Sequence, residues 1–135
     1  GSDSLHTALK LYAKAELLSI QKKPTEALEV LESILENHKT DPIIDQTLLV
    51  QAQLYEAQKE FAKAEVNYLR IITDYKDDIL VDDAYFFLAE LYRTKLMQTD
   101  KAKLNYETII FNHEDSIHFV EARKQYRILR GDTLN

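Results

Sequence analysis

The residues best suited to metal binding are two histidines and two carboxylates that lie within six consecutive positions. The segment contains His113, Glu114, Asp115 and His118. Histidines that bind zinc from one helix stand at i and i+4, and structural zinc sites commonly add cysteine. These two histidines are five positions apart, and the chain has no cysteine. We therefore expect a solvated turn between helices at this segment, with a metal site as the alternative.

A second group of residues could suggest calcium binding, because five aspartates fall within ten positions. They are Asp74, Asp77, Asp78, Asp82 and Asp83. A calcium loop needs alternating acids, a glycine at its sharp turn and a closing glutamate. This stretch contains no glycine. The pattern instead indicates the start of a helix, because carboxylates stabilise the positive N-terminal end of a helix.

The sequence contains no recognisable catalytic motif. It has no nucleophile elbow, no glycine loop that would hold a phosphate and no zinc-protease motif. Nothing in it predicts two carboxylates sharing a desolvated pocket, which the tuning of a catalytic pKa would require. We therefore expect a protein that is not an enzyme and that binds no cofactor and no metal.

Composition limits the remaining classes of function. The chain has 135 residues, of which 45% are hydrophobic, and a formal net charge of −6 at pH 7. The negative charge argues against binding to the phosphates of nucleic acids. No apolar run approaches the roughly 20 residues that would span a bilayer. We interpret residues 1–2 as the remnant of a cleaved tag and residues 3–135 as a single domain.

Two glycines and two prolines are too few for the turns of an all-β fold, and an internal repeat indicates helices instead. Small and large residues recur in two series at intervals of 37 or 38 positions. The first series pairs Ala15 with Leu18, Ala52 with Tyr55, and Ala89 with Tyr92. The second pairs Ala27 with Leu31, Ala64 with Tyr68, and Ala102 with Tyr106. Each repeat therefore has two parts, and alanine allows the two to approach closely.

Apolar residues within each part follow the period of a helix, so we predict an all-α fold. Seven helices are expected at roughly 4–22, 24–38, 42–58, 60–75, 79–95, 100–113 and 116–130. Asp41 is expected to cap the third helix, with Pro42 as its first residue. Pro24 opens the second helix by the same logic, and Thr99–Asp100 is a candidate cap for the sixth. The repeats are then 4–41, 42–78 and 79–115, and 116–130 is a capping helix with a solvated face.

This arrangement resembles the tetratricopeptide repeat. The residues at the family's Trp, Gly and Tyr positions are Leu11, Ala15 and Leu18; Leu48, Ala52 and Tyr55; and Tyr85, Ala89 and Tyr92. The resemblance implies a right-handed superhelix of about three helix pairs that acts as a protein-binding scaffold. Ile34, Ile71 and Ile109 stand where the family has a late alanine. The third repeat also has one extra residue between Tyr92 and Ala102.

Longer repeats, together with the Tyr75–Asp78 stretch, also resemble bacterial cell-envelope proteins. These include the coordinator associated with the Tol-Pal system and the lipoproteins of outer-membrane assembly. The likeness implies the C-terminal repeats of a longer protein in the periplasm or cell envelope. The residues themselves do not decide the compartment. No polar capping helix is predicted at the N-terminal end of the repeats. Apolar residues there could therefore contact earlier repeats: Leu5, Leu9 and Tyr12.

The resemblance also implies where a partner would bind, because the first helices of such pairs line a concave groove. The groove positions in this sequence are Tyr12, Glu16, Leu49, Gln53, Phe86 and Glu90, with Arg93 one turn further on. They form an apolar stripe with acidic borders, which suits a peptide or helix of an unidentified protein. The alternative is a structural role, in which self-association, the last helix or another part of the protein fills the stripe.

Overall fold

A computed structural model describes residues 2–132, which form seven α-helices. The helices are α1 (Ser2–Ile20), α2 (Pro24–Asn37), α3 (Ile44–Ala57), α4 (Phe61–Asp74), α5 (Val81–Thr94), α6 (Thr99–Asn112) and α7 (Phe119–Arg130). The described residues contain no strand. The expected all-α class and the number and order of the helices are therefore confirmed. Ser2 begins α1, whereas Gly1, the other residue of the suggested tag remnant, lies outside the described residues.

The predicted start of the third helix is wrong. Ile43 is the N-cap of α3, and the helix begins at Ile44, two residues after Pro42. The Oδ2 of Asp41 instead accepts a hydrogen bond from the hydroxyl of Ser4 at 2.7 Å, and its backbone carbonyl accepts one from the N–H of Ile44 at 3.2 Å. Pro24 does open α2 as expected. The sixth helix begins at Thr99 with Gln98 as its N-cap, so the suggested cap lies inside the helix.

The turns inside the three helix pairs share one backbone device. A residue in the left-handed region follows each first helix: Lys22 (φ 61°), Lys59 (φ 62°) and Met97 (φ 54°). The next backbone N–H then returns to a carbonyl in the last turn of that helix: Lys23 to Leu18 at 2.9 Å, Glu60 to Tyr55 at 2.8 Å, and Gln98 to Tyr92 at 2.9 Å. The first two span five residues and the third spans six. The extra residue of the third repeat is therefore absorbed in this turn.

The longer connections between pairs also repeat. The backbone N–H three residues into each loop donates to the carbonyl at the loop's start: Asp41 to His38, Asp78 to Tyr75, and Ser116 to His113. A second bond of the same span follows in each loop: Ile44 to Asp41, Val81 to Asp78, and Phe119 to Ser116. Both kinds of connection therefore recur with the period found in the sequence.

Backbone contacts group the chain into two compact units that divide within α4, between Asn67 and Tyr68. In the N-terminal unit, α1 packs against α2, and α2 packs against α3. The alanines at the predicted crossings are at most 2% exposed: Ala15, Ala27, Ala52 and Ala64. Ile34, at the late-alanine position, is also fully buried.

A chain of polar side chains crosses this N-terminal core. The Nδ2 of Asn67 donates to the carbonyl of Leu48 at 3.1 Å and to Oε1 of Gln51 at 2.7 Å. The Nε2 of Gln51 donates in turn to Glu32 at 2.9 Å. Asn67 and Gln51 are almost fully buried. These bonds satisfy polar groups that would otherwise destabilise the core.

In the C-terminal unit, α5 packs against α6, and α6 packs against α7. Ala89, Ala102 and Tyr106 are buried at their repeat positions, and Ala122 of α7 is buried as well. The four basic residues of α7 are exposed, so its predicted solvated face is confirmed: Arg123, Lys124, Arg127 and Arg130. One polar atom of this unit is orphaned, because the buried Nδ2 of Asn105 has no hydrogen-bond partner among residues 2–132.

Candidate protein-interaction surface

The groove positions of the N-terminal unit differ in accessibility. Glu16 and Gln53 are exposed and Tyr12 is half-buried, whereas Leu49 is only 6% exposed. The hydroxyl of Tyr12 accepts a hydrogen bond from Nε2 of Gln46 at 3.3 Å, which joins α1 to α3. Burial raises the pKa of Tyr12, and the nearby Glu16 raises it further. The accessible part of this surface is therefore polar, with a neutral phenol beside a carboxylate.

Phe86, the groove position of α5, is covered by the chain itself. The imidazole of His118 stacks on the ring of Phe86 with the centroids 4.3 Å apart and the planes 6° from parallel. The Nε2 of His118 lies 2.7 Å from Oδ1 of Asp83, which holds the imidazole in place. The ring of Tyr106 meets that of Phe86 at 62°, with the centroids 6.2 Å apart. The loop before α7 therefore closes over Phe86.

Glu90 and Arg93 are engaged within the same unit. Two nitrogens of Arg93 donate to the carboxylate of Glu90 at 2.9–3.2 Å. The Nε of Arg93 also lies 3.0 Å from the hydroxyl of Tyr106, which donates to Glu90. Burial, reinforced by this bond to Glu90, raises the pKa of Tyr106 well above its usual value. Both predicted groove charges therefore stabilise a buried tyrosine.

A serine, a histidine and an aspartate meet in the N-terminal unit, and no motif in the sequence points to this cluster. The Nδ1 of His38 lies 2.9 Å from the hydroxyl of Ser4 and 3.1 Å from Oδ2 of Asp41. A catalytic relay instead places the imidazole between the other two groups, with a different ring nitrogen on each. Here the serine hydroxyl bonds directly to Asp41. The cluster joins the first turn of α1 to the loop between α2 and α3.

An open cleft of about 310 Å³ lies in the N-terminal unit, between α2 and the turn from α3 to α4. Glu29, Glu32 and Tyr55 line one part of it. The ammonium of Lys63 lies 3.1 Å from Glu60 and 5.6 Å from the centre of the Tyr55 ring. Burial raises the pKa of Tyr55, and the charge of Glu32 adds to this effect. The cleft is lined by acidic and aromatic side chains, and the ammonium of Lys63 already lies against two of them.

Of the two segments considered for metal binding, residues 113–118 form the loop before α7, whereas residues 74–83 run from the end of α4 to the first turn of α5. His113 contacts the ring of Tyr85 at 6.0 Å, whereas His118 belongs to the Phe86 cluster. Asp82 and Asp83 stand in the first turn of α5, as predicted from helix electrostatics. Within residues 2–132, no three histidine, aspartate or glutamate side chains are grouped closely enough to hold an ion.

A scan against protein-family models finds no matching model, and a search of curated proteins finds no matching sequence. None of the helices in the described part of the chain combines the length and apolar character needed to cross a lipid bilayer.

Proposed function

We propose that this chain is a non-enzymatic protein-interaction module made of tetratricopeptide-like helix pairs. One observation carries the proposal: both kinds of connection recur with equivalent backbone hydrogen bonds at intervals of 37 or 38 residues. Repeated helix pairs that contact mainly their neighbours form solenoids, which present extended surfaces to partners. The proposed arrangement is a right-handed superhelix of three pairs, with α7 as the capping helix.

The proposed binding surface is the accessible polar part of the N-terminal unit. Glu16 and Gln53 are exposed there, and the half-buried Tyr12 offers an aromatic edge beside Glu16. A peptide or helix with a basic side chain and free hydrogen-bond donors fits this chemistry. Phe86, Glu90 and Arg93 contribute less, because contacts within the C-terminal unit already engage them.

A random peptide library displayed on phage tests this surface, because it samples basic and acidic peptides together. The proposal predicts that the chain enriches basic peptides and that Glu16→Lys with Gln53→Lys abolishes their binding. A matched control, Glu36→Lys with Gln21→Lys, changes two other exposed residues of the same types and should leave binding intact. Failure to enrich peptides, or equal binding by both double variants, would contradict the proposed surface.

A second candidate is a structural role, through self-association or by bracing another part of a protein. The covered state of Phe86 favours it, since the chain fills this groove position with its own His118. Sedimentation velocity over a wide concentration range separates the two functions. A monomer at all concentrations supports the peptide-binding module, whereas a concentration-dependent dimer supports the structural role.

A further inference from the structure

The side of α1 that faces away from the core is apolar. Leu9, Ala13 and Leu17 recur at every fourth position, so they form one stripe along the helix, and Ile20 extends it. Leu9 is 47% exposed, Leu17 is 54% exposed and Ile20 is 78% exposed. Lys10 and Lys14 run along one edge of this stripe, and both are exposed. We call this surface, Leu9–Ala13–Leu17–Ile20, the outer stripe.

The middle of the same stripe is increasingly covered in the other first helices, whereas the position of Ile20 stays exposed as Ala57 and Thr94. The position of Leu17 is taken by Leu54 in α3, which is half-buried, and by Leu91 in α5, which is fully buried. The position of Ala13 is taken by Val50 and Phe87, both half-buried. This side of a first helix is therefore a packing surface of the repeat.

Two contacts identify what covers the equivalent surface elsewhere in the chain. In the C-terminal unit, the ring of Phe87 in α5 lies 6.3 Å from that of Tyr68 in α4. In the N-terminal unit, Gln51 in α3 donates to the carboxylate of Glu32 in α2 at 2.9 Å. In each case the covering element is the second helix of the preceding pair. The positions of Phe87 and Gln51 correspond to Ala13 and Lys14 in α1.

We propose that the outer stripe of α1 docks an amphipathic helix of another protein chain with the chemistry of α2. A large apolar side chain of that helix would lie over Ala13, where the methyl group leaves room for it. The following residue would be acidic and would face Lys14, as Glu32 faces Gln51. Charge complementarity therefore selects an acidic helix, and α2 itself is of this kind, with four glutamates and no basic residue.

The outer stripe is separate from the surface proposed around Tyr12 and Gln53, so either proposal can fail alone.

The probe for this proposal is a fluorescent peptide with the sequence of α2, Pro24–Asn37, stapled between positions 26 and 30, on the side of the helix opposite Leu31 and Glu32. Fluorescence anisotropy measures its binding to the full chain. We expect saturable binding that Leu17→Ser weakens about tenfold, since an apolar contact is lost. Lys14→Glu should weaken binding about fivefold, and a peptide carrying Glu32→Lys should recover it on that variant. Lys39→Glu, an exposed charge reversal off the stripe, is the control.

Three results would overturn the proposal. The first is no saturable binding at peptide concentrations up to about 1 mM. The second is binding that Leu17→Ser and Lys14→Glu leave unchanged while circular dichroism shows both variants folded. The third is a concentration-dependent dimer of the chain alone that Leu17→Ser abolishes, because a second copy would then be the occupant of the stripe.

Discussion

The two units of the molecule place an asparagine at the same repeat position with opposite outcomes. Asn67 in the N-terminal unit is satisfied by Leu48 and Gln51, and Gln51 is satisfied by Glu32. Asn105 stands 38 positions later, and its buried Nδ2 has no partner among residues 2–132. The residue at the position of Gln51 is Leu88 in the C-terminal unit. The facing helix of the C-terminal unit therefore offers no side-chain acceptor at the position that helps to satisfy Asn67.

The C-terminal unit places its own polar network elsewhere. Tyr106, bound to Glu90 and Arg93, occupies the position held by Leu31 in the first repeat. The plan of the helix pair is thus constant, while the buried polar groups move from position to position. This freedom follows from the geometry of the pair, since the alanine crossings set the helix spacing and the larger positions accept different side chains.

Replacing Asn67 with valine, the residue at its position in the first repeat, should have the largest effect. The change leaves the carbonyl of Leu48 and the amide of Gln51 without this partner in a buried site. We expect the free energy of unfolding to fall by about 2–3 kcal/mol, measured by urea denaturation. Asn37→Val, at an exposed helix end, is the control and should change stability by less than about 0.5 kcal/mol.

A pH titration should detect the network of the C-terminal unit. The pKa of Tyr106 is raised in the folded state, so its contribution to stability is complete below the unfolded pKa near 10 and declines as pH rises above it. Between pH 10 and pH 11 we expect a loss of about 1 kcal/mol from this residue. In the Tyr106→Phe variant, this part of the loss of stability between pH 10 and pH 11 should be absent. If the stability of Tyr106→Phe falls with pH as steeply as that of the unaltered chain, the pKa of Tyr106 is not raised in the folded state.

A double-mutant cycle can transplant the N-terminal arrangement into the C-terminal unit. Leu88→Gln introduces the amide that Asn105 lacks, at the cost of a buried leucine. We expect this change to be about 1 kcal/mol less damaging with Asn105 present than in an Asn105→Val background. Equal costs in the two backgrounds would mean that the two positions do not face each other as Asn67 and Gln51 do.

The smallest change in stability should come from substitutions in the turns inside the helix pairs, whose backbone geometry recurs in both units. Lys22 and Lys59 hold left-handed backbone conformations, which glycine adopts without strain. Lys22→Gly and Lys59→Gly should each raise the free energy of unfolding by about 0.5 kcal/mol, after the greater entropy of the unfolded chain is subtracted. Lys10→Gly, inside α1, should instead lower it by about 1 kcal/mol. A loss of stability at Lys22 and Lys59 would contradict the turn geometry.

The helices and the small residues at their crossings could be predicted from the sequence, because both follow from local periodicity. Ala15 and Ala89 could be placed in the core from their spacing alone. The expected cap of α3 is not found at Asp41, whose carboxylate bonds instead to Ser4, a residue 37 positions away. A capping residue can be predicted from its neighbours only when no distant group competes for its side chain.

The candidate site was harder to predict, because accessibility depends on the path of distant loops. Periodicity selects Phe86 as a groove position, yet His118 stacks on it from 32 positions further along the chain. Glu90 and Arg93 are engaged by Tyr106 in the same way. Whether the Nδ2 of Asn105 finds a hydrogen-bond partner likewise depends on the facing helix and not on the neighbouring sequence. The outer stripe of α1 could be found from the sequence, since it needs only the period of one helix.

The central claim is that both units use one helix-pair plan whose stability depends on the partner facing each buried amide. The most direct measurement is urea unfolding of Asn105→Val beside Asn67→Val. We predict opposite signs: Asn105→Val should raise the free energy of unfolding by about 1 kcal/mol, because it removes an unsatisfied donor, while Asn67→Val lowers it. Similar losses in both variants would contradict the claim.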